Sequence, residues 1–279
     1  MLKNNYALIP HLLRTAGEKS IALSKDFQVS EKGKNDYVTN VDRELDHWLS
    51  TQIQQLFPEH CIISEENTAS FQEWGKDSRS YWLIDPIDGT EDFIHRKASY
   101  AVMVGFLEQQ QPKLGFIYAP LRQTLYIGGV LAGSFSINEE FCTPQFQPLE
   151  SETDCLIVLS KKDQRNYGAA ILQAVPQAKF YSLGSFGLKV LEVVMGKAQA
   201  YIYLNRRVKL WDTVAPIAIA QQAQLVCSDL QGEPITFDQD SIDPTTLTHY
   251  QEVFISTPAF SNTYREKIYC ALKKCGYYG

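Results

Sequence analysis

Apolar positions recur along the chain with two different periods, and each marks a different element. Ile9, Leu12, Leu13 and Ala16 stand three and four places apart among polar neighbours, which predicts an amphipathic helix over 9–24. Pro10 is tolerated in its first turn, where a missing N–H costs little. Leu45, Leu49, Ile53 and Leu56 repeat the pattern in a second helix over 41–57, and Pro58 stops it. The run Tyr-Trp-Leu-Ile-Asp at 81–85 reads as a buried strand that ends in an acid. Strand-like runs follow at 100–107, 113–118 and 124–129, with turns at 109–112 and 120–123, so the middle of the chain predicts an antiparallel sheet.

Beyond about residue 145 the pattern changes to alternation. Strands at 156–159, 179–183 and 200–204 are interleaved with helices at 163–175, 188–195 and 213–224. The fold class is therefore α/β, with an N-terminal α+β part over 1–145 and a C-terminal α/β part over 146–279. The boundary is placed within 143–152.

The 279 residues allow one or two domains with a sizeable core. Lys and Arg number 26 against 32 Asp and Glu, a formal charge of −6, and the pI is about 5.4. That balance disfavours a nucleic-acid polymer as partner, since such binders need a broad basic face. No apolar run is long enough to span a bilayer, and the first residues read as an amphipathic helix rather than a secretory signal. The six cysteines are scattered without a CxxC pair, which predicts reduced thiols and a cytoplasmic protein.

Candidate chemistry concentrates in Asp85-Pro86-Ile87-Asp88-Gly89-Thr90. A strand delivers Asp85 to its end, a tight turn brings Asp88 beside it, and Gly89 permits close backbone approach. A helix starting near Glu91 would aim free N–H groups at an anion. Paired carboxylates beside a phosphate seat suit a hard cation such as Mg²⁺. The segment taken alone fits an Asx turn with an N-cap equally well. Three other segments carry acids in similar settings: Val38-Thr39-Asn40-Val41-Asp42, Ile62-Ile63-Ser64-Glu65-Glu66 and Trp211-Asp212-Thr213. Each alone reads as a cap or a strand end.

Together, in this order and with Asp42, Glu65, Asp85 and Asp212 spaced 23, 20 and 127 residues apart, these motifs resemble the inositol monophosphatase superfamily. Its members are lithium-inhibited, magnesium-dependent phosphomonoesterases, and the resemblance runs from about Asp36 to Glu233. It implies a layered α-β-α-β-α sandwich and two to three Mg²⁺ ions per site. Glu65, Asp85 and the carbonyl of Ile87 would hold the first ion. Asp85, Asp88 and Asp212 would hold the second, and a third would sit near Glu65, largely bound by water. Backbone N–H groups of Gly89 and Thr90 would seat the phosphate, and Asp42 with Thr90 would orient the attacking water. Family members are often homodimers.

The resemblance is closest to the 3′(2′),5′-bisphosphate nucleotidase branch. Asp92 stands where that branch carries an acid, and the stretches 113–120 and 184–189 are similar to it, although Phe186 replaces one of its paired serines. Asn205 stands where inositol-specific members place a glutamate. A substrate side formed by Lys189, Asn205, Arg206 and Arg207, with Lys209 nearby, would suit a second phosphate, since guanidinium pairs with phosphate bidentately; the basic loop reads equally as a solvated surface loop, and Lys189 as a residue that only decorates its helix. The expected reaction is conversion of adenosine 3′,5′-bisphosphate to AMP and phosphate. The alternative is an inositol-1-phosphate phosphatase that also accepts sugar phosphates such as fructose 1,6-bisphosphate. A catalytically inactive regulatory protein is disfavoured, because such relatives lose metal ligands.

Overall fold

The computed structural model describes residues 5–33, 36–76, 80–146 and 155–278. The expected boundary at 143–152 falls largely outside them. Two sheets form the frame. One has seven strands in the order β3-β4-β5-β6-β7-β8-β9: Cys61–Ser64, Tyr81–Asp88, Ala101–Glu108, Gln111–Ala119, Thr124–Gly128, Ser136–Ile137 and Glu140–Phe141. The other has five, in the order β11-β10-β12-β14-β13, formed by Cys155–Leu159 (β10), Ala178–Tyr181 (β11), Ala200–Tyr203 (β12), Val226–Ser228 (β13) and Val253–Ser256 (β14). A hairpin of β1 (Val29–Gly33) and β2 (Asp36–Thr39) stands apart.

Helices fill the faces in layers. Helix α1 (Ile9–Leu23) and α2 (Asn40–Leu56) bury Ile9, Leu13, Leu45, Leu49 and Ile53 against Trp82, Val102 and Phe106 on one face of the large sheet. Short α3 (Thr90–Ile94) follows β4 directly. Helices α5 (Phe186–Val194) and α6 (Leu210–Gln222) lie between the two sheets in a shared core with Met103, Ile117, Tyr201 and Ile255. On the far face of the small sheet, α4 (Lys161–Ala174) and α7 (Pro258–Lys274) close a third core around Ile157, Ile171, Phe254, Phe260 and Leu272. The order is the layered α-β-α-β-α sandwich.

The three strands predicted as an antiparallel sheet pair that way, and β3, running parallel to β4, makes the full seven-stranded sheet mixed. Its β5–β6 turn is tight, with Gln109 and Gln110 both at positive φ, so β6 starts at Gln111, within the expected turn. Helix α6 begins earlier than the expected 213, which puts Asp212 inside its first turn. Strand β14 and helix α7 were not anticipated from periodicity. The start of α7 is nonetheless marked by a Thr257 cap and Pro258 in the first turn.

One packing feature sets the position of the central layer. Gly105, Gly115 and Gly128 lie directly opposite one another across β5, β6 and β7. A Cβ on Gly115 would stand 2.1 Å from the carbonyl oxygen of Ala215, and one on Gly105 2.7 Å from the Ala215 nitrogen. A Cβ on Gly128 would meet the Cα of Ile219 at 3.2 Å. The row is a trough in which the backbone of α6 rests directly on the sheet. Strand spacing of about 4.8 Å matches about three residues of helix rise, so the next strand, β4, falls under the first turn of α6.

Gly115→Val should prevent this seating. The expected loss is roughly 1–3 kcal/mol of stability from overpacking, read as a lower denaturation midpoint. An unchanged midpoint would show that the helix does not need the trough.

Candidate metal centre

Strand β4 is buried along its whole length and ends with Asp85 and Asp88. Its pairing with β5 is irregular between those two residues, where Pro86 stands. The bulge turns both carboxylates toward the start of α6, where Asp212 waits. Among the described residues, oxygen atoms of Asp85, Asp88 and Asp212 all lie within 4.8 Å of one another. Asp85 and Asp88 are buried, and Asp212 is half-buried.

Each acid is fixed by its own local device. Asp85 Oδ1 accepts the Ile87 N–H at 3.1 Å. Asp88 accepts from the Phe186 N–H at 2.9 Å, the Gly187 N–H at 2.8 Å and the Ser185 hydroxyl. The first turn of α5 is thereby pinned to the end of β4. A Cβ on Gly187 would lie 2.3 Å from the Met103 sulfur, so only glycine fits there without displacing it. Asp212 Oδ2 accepts the Lys209 N–H at 2.7 Å, closing the first turn of α6. Asp42 does the same for α2, accepting the Thr39 N–H at 2.8 Å. Neither acid is the N-cap itself: both stand three residues inside it.

The Thr90 hydroxyl lies 3.1 Å from both Asp42 Oδ1 and the Ile87 carbonyl, so one proton is shared between two acceptors. Asp42, Thr90 and Ile87 thus meet beside the three carboxylates. Gly89 leads into α3 with φ of 93°, and a Cβ there would stand 2.9 Å from the Ser185 nitrogen. Arg96, just after α3, adopts the left-handed conformation with φ of 54°.

Burial and mutual repulsion dominate the electrostatics. Asp85 is pushed well above the usual carboxylate range, first by burial and then by Glu65, Asp88, Asp212 and Asp42. Asp212 is raised by burial, Asp88 and Glu65. Asp88 is raised by burial, against its three hydrogen-bond donors and the nearby Lys189. Asp42 is pushed up to about 6, chiefly by burial. A cluster of hard oxygen donors that repel one another is the donor set a small divalent cation takes. The residues fit magnesium on that ground.

The remaining candidates fall in two groups. Glu65 lies outside the tight trio, and its Oε1 accepts Lys32 Nζ at 2.8 Å, while Glu66 accepts the same ammonium at 2.7 Å. Lys189 is 9 % exposed, donates to the Gly184 carbonyl at 3.1 Å and lies near Asp88 and Asp212. Asn205 Oδ1 accepts Lys162 Nζ at 3.1 Å, and Arg207 is exposed.

Arg206 departs from its expected place on the substrate side. It pairs with buried Glu252 and covers the rings of Tyr277 and Tyr278. The reason is charge: a buried carboxylate demands a partner, and the nearest guanidinium supplies it. Lys209 turns to Thr246 and Thr248. Tyr201 is fully buried with its ring edge-on to Phe186, which makes it a packing residue. Asp92 accepts from Lys97 at 2.8 Å and Ser99 at 2.6 Å, and also from the Gly184 backbone. It fastens the 184–185 segment. Sequence reasoning missed Ser185 as the anchor of Asp88, although its place at the start of a helix was a signal.

A buried carboxylate trio between two sheets, beside a threonine–aspartate pair, defines a metal-centre geometry suited to an anionic ester. The profile of the inositol monophosphatase family matches residues 10–262. The Vibrio cholerae protein called Nus factor SuhB is 30% identical over 217 residues, covering 77% of this chain and 79% of that protein. The 3′(2′),5′-bisphosphate nucleotidase CysQ of Aggregatibacter actinomycetemcomitans is 30% identical over 220 residues, 77% of this chain and 80% of that one. The solved structure of the Thermotoga maritima IMPase superposes with a TM-score of 0.78 at 22% identity, covering 99% of this chain and 100% of that one. The chain belongs to the inositol monophosphatase family. It is an enzyme, a phosphoric monoester hydrolase of a magnesium-dependent family.

The raised carboxylate pKa values have a consequence for the metal-free protein. The folded state holds protons that the unfolded chain releases, so stability falls as pH climbs from about 4 through the raised values. Magnesium should therefore raise the melting temperature more at about pH 8 than at about pH 5, where protons already neutralise the cluster. Asp212→Asn keeps an oxygen for the Lys209 cap and should abolish most of that rise. Equal rises at both pH values, or an undiminished rise in the variant, would contradict the assignment.

Proposed function

We propose that this chain is a magnesium-dependent phosphomonoesterase whose substrate is adenosine 3′,5′-bisphosphate, released as AMP and phosphate. The observation that carries the reaction class is the convergence of Asp85, Asp88 and Asp212 within 4.8 Å beside the Asp42–Thr90 pair. In this reading Asp85, Asp88 and Asp212 would hold one magnesium, Glu65, Asp85 and the Ile87 carbonyl would hold another, and a third would sit near Glu65. Bound there, magnesium neutralises the phosphate's charge and lowers the pKa of water.

The protein's own groups do the rest. Backbone N–H groups of Gly89 and Thr90 receive the phosphate oxygens at the start of α3. Thr90 and Asp42 align a water for in-line attack, and positioning lowers the barrier without a covalent intermediate. Asp42, raised to about 6, can accept a proton through the Thr90 hydroxyl near neutral pH.

Three features support the nucleotide reading. The chain is similar to CysQ over most of its length. Asn205 takes the place of the glutamate of inositol-specific members. Lys189 lies buried beside the carboxylate trio, and exposed Arg207 follows Asn205, where a second phosphate would reach them. Arg206 is not part of this set, since Glu252 holds it. Inositol 1-phosphate is the alternative substrate, favoured by the fold match with an IMPase.

A phosphate-release panel at equal magnesium separates these readings. Adenosine 3′,5′-bisphosphate should be turned over faster than inositol 1-phosphate or fructose 1,6-bisphosphate. Arg207→Glu should raise KM for the bisphosphate much more than for a monophosphate. Lithium at about millimolar concentration should inhibit by competing at a magnesium site. Preference for inositol 1-phosphate, or equal losses in Arg207→Glu, would remove the nucleotide reading. No phosphate release from any ester would remove the phosphatase reading.

A further inference from the structure

The segment after helix α7, through Tyr278, is built against the loop that leads from β12 to Asp212. Helix α7 ends at Lys274, Gly276 turns the chain with φ of 84°, and the Tyr277 N–H caps the helix on the Leu272 carbonyl at 3.1 Å. This turn brings Tyr277 back over the small sheet. Its hydroxyl donates to the Leu204 carbonyl at 2.6 Å, the residue immediately before Asn205.

Arg206, two residues on, is clasped from the same side. It adopts the left-handed conformation with φ of 48°, and its guanidinium lies 5.5 Å from the Tyr277 ring centre and 5.6 Å from that of Tyr278. It also pairs with Glu252, whose side chain is 3 % exposed. A carboxylate that deep is costly without its partner, so Arg206 is not free to swing away. The rings are themselves buttressed, Tyr277 by Tyr167 at 5.0 Å and Tyr278 by Tyr269 at 5.1 Å. The family match ends at residue 262, so both tyrosines lie beyond the matched segment.

We propose that Tyr277 and Tyr278 are positioning residues for substrate: acting through Leu204, Arg206 and Glu252, they fix the loop over 204–209 and with it the side chain of Asn205. The tyrosines touch no substrate. Their effect is to present Asn205 in one place and to keep Arg206 out of the substrate side, which leaves Arg207 as the loop's guanidinium for a second phosphate. This rests on the reading of Asn205 and Arg207 as substrate-facing.

Two variants of the full chain test it, each by two readouts. Tyr277→Ala removes the hydroxyl and the ring; Tyr277→Phe removes only the hydroxyl. Backbone hydrogen exchange over 204–208 should speed about tenfold in the alanine variant and less in the phenylalanine variant. KM for the best substrate of the phosphate-release panel should rise about fivefold or more in Tyr277→Ala, with kcat within about twofold and Tyr277→Phe restoring part of the loss. Unchanged exchange at 204–208, or faster exchange there with no change in KM, would overturn the proposal. So would a loss shared by α7 and β14 that affects kcat as much as KM, since that is general destabilisation. Exchange needs no turnover, so a failure of the phosphatase reading would show as absent phosphate release while the exchange comparison still decides the clasp.

Discussion

Everything at the site depends on how closely α6 lies on the large sheet. Three glycines, one on each of three neighbouring strands and in register, remove the side chains that would hold the helix off. The backbone of Ala215 sits on two of them and Ile219 on the third. The helix then crosses the strands in steps that match their spacing, and its first turn arrives over β4. Asp212 is in that turn, and Asp85 and Asp88 are at the end of that strand. A methyl group anywhere in the row would lift the helix by an amount comparable with the tolerance of a metal site.

The fold accepts an electrostatic cost at this point. Three carboxylates are brought together out of water, and their ionised forms repel. Hydrogen bonds lessen the cost for Asp88, whose carboxylate ties β4 to the first turn of α5, and for Asp212, which caps its own helix. They leave Asp85 with a single backbone donor, Ile87. The chain's formal charge of −6 describes the protein without cations. Magnesium bound there would neutralise much of the local negative charge and let an anionic ester approach a protein that is acidic elsewhere.

The candidate site acids were legible because each stands at the end of an element whose periodicity is plain: Asp85 at the end of an apolar strand, Asp42 and Asp212 at helix starts. The elements of the middle sheet were legible for the same reason. What the sequence could not show was which side chains would be claimed by other partners. Arg206 reads as a phosphate ligand from its neighbours, yet Glu252, a distant residue in sequence, takes it. Asp92 reads as a marker of substrate choice and proves to fasten Gly184. The glycine row was visible as glycines within strands, but its alignment across three strands appears only once the register is known. Strand β14 is only four buried residues long, and helix α7 buries few of its positions, so neither gives a clear period, and with them the C-terminal clasp went unread.

The acids brought together from β4 and α6 are placed to form one divalent-metal centre. The most direct measurement is anomalous diffraction from crystals of the protein soaked in manganese, a magnesium substitute with an anomalous signal. The account predicts a peak ligated by Asp85, Asp88 and Asp212 together, next to the Asp42–Thr90 pair. A peak that lacks Asp212 as a ligand, or no peak at this cluster, would contradict it.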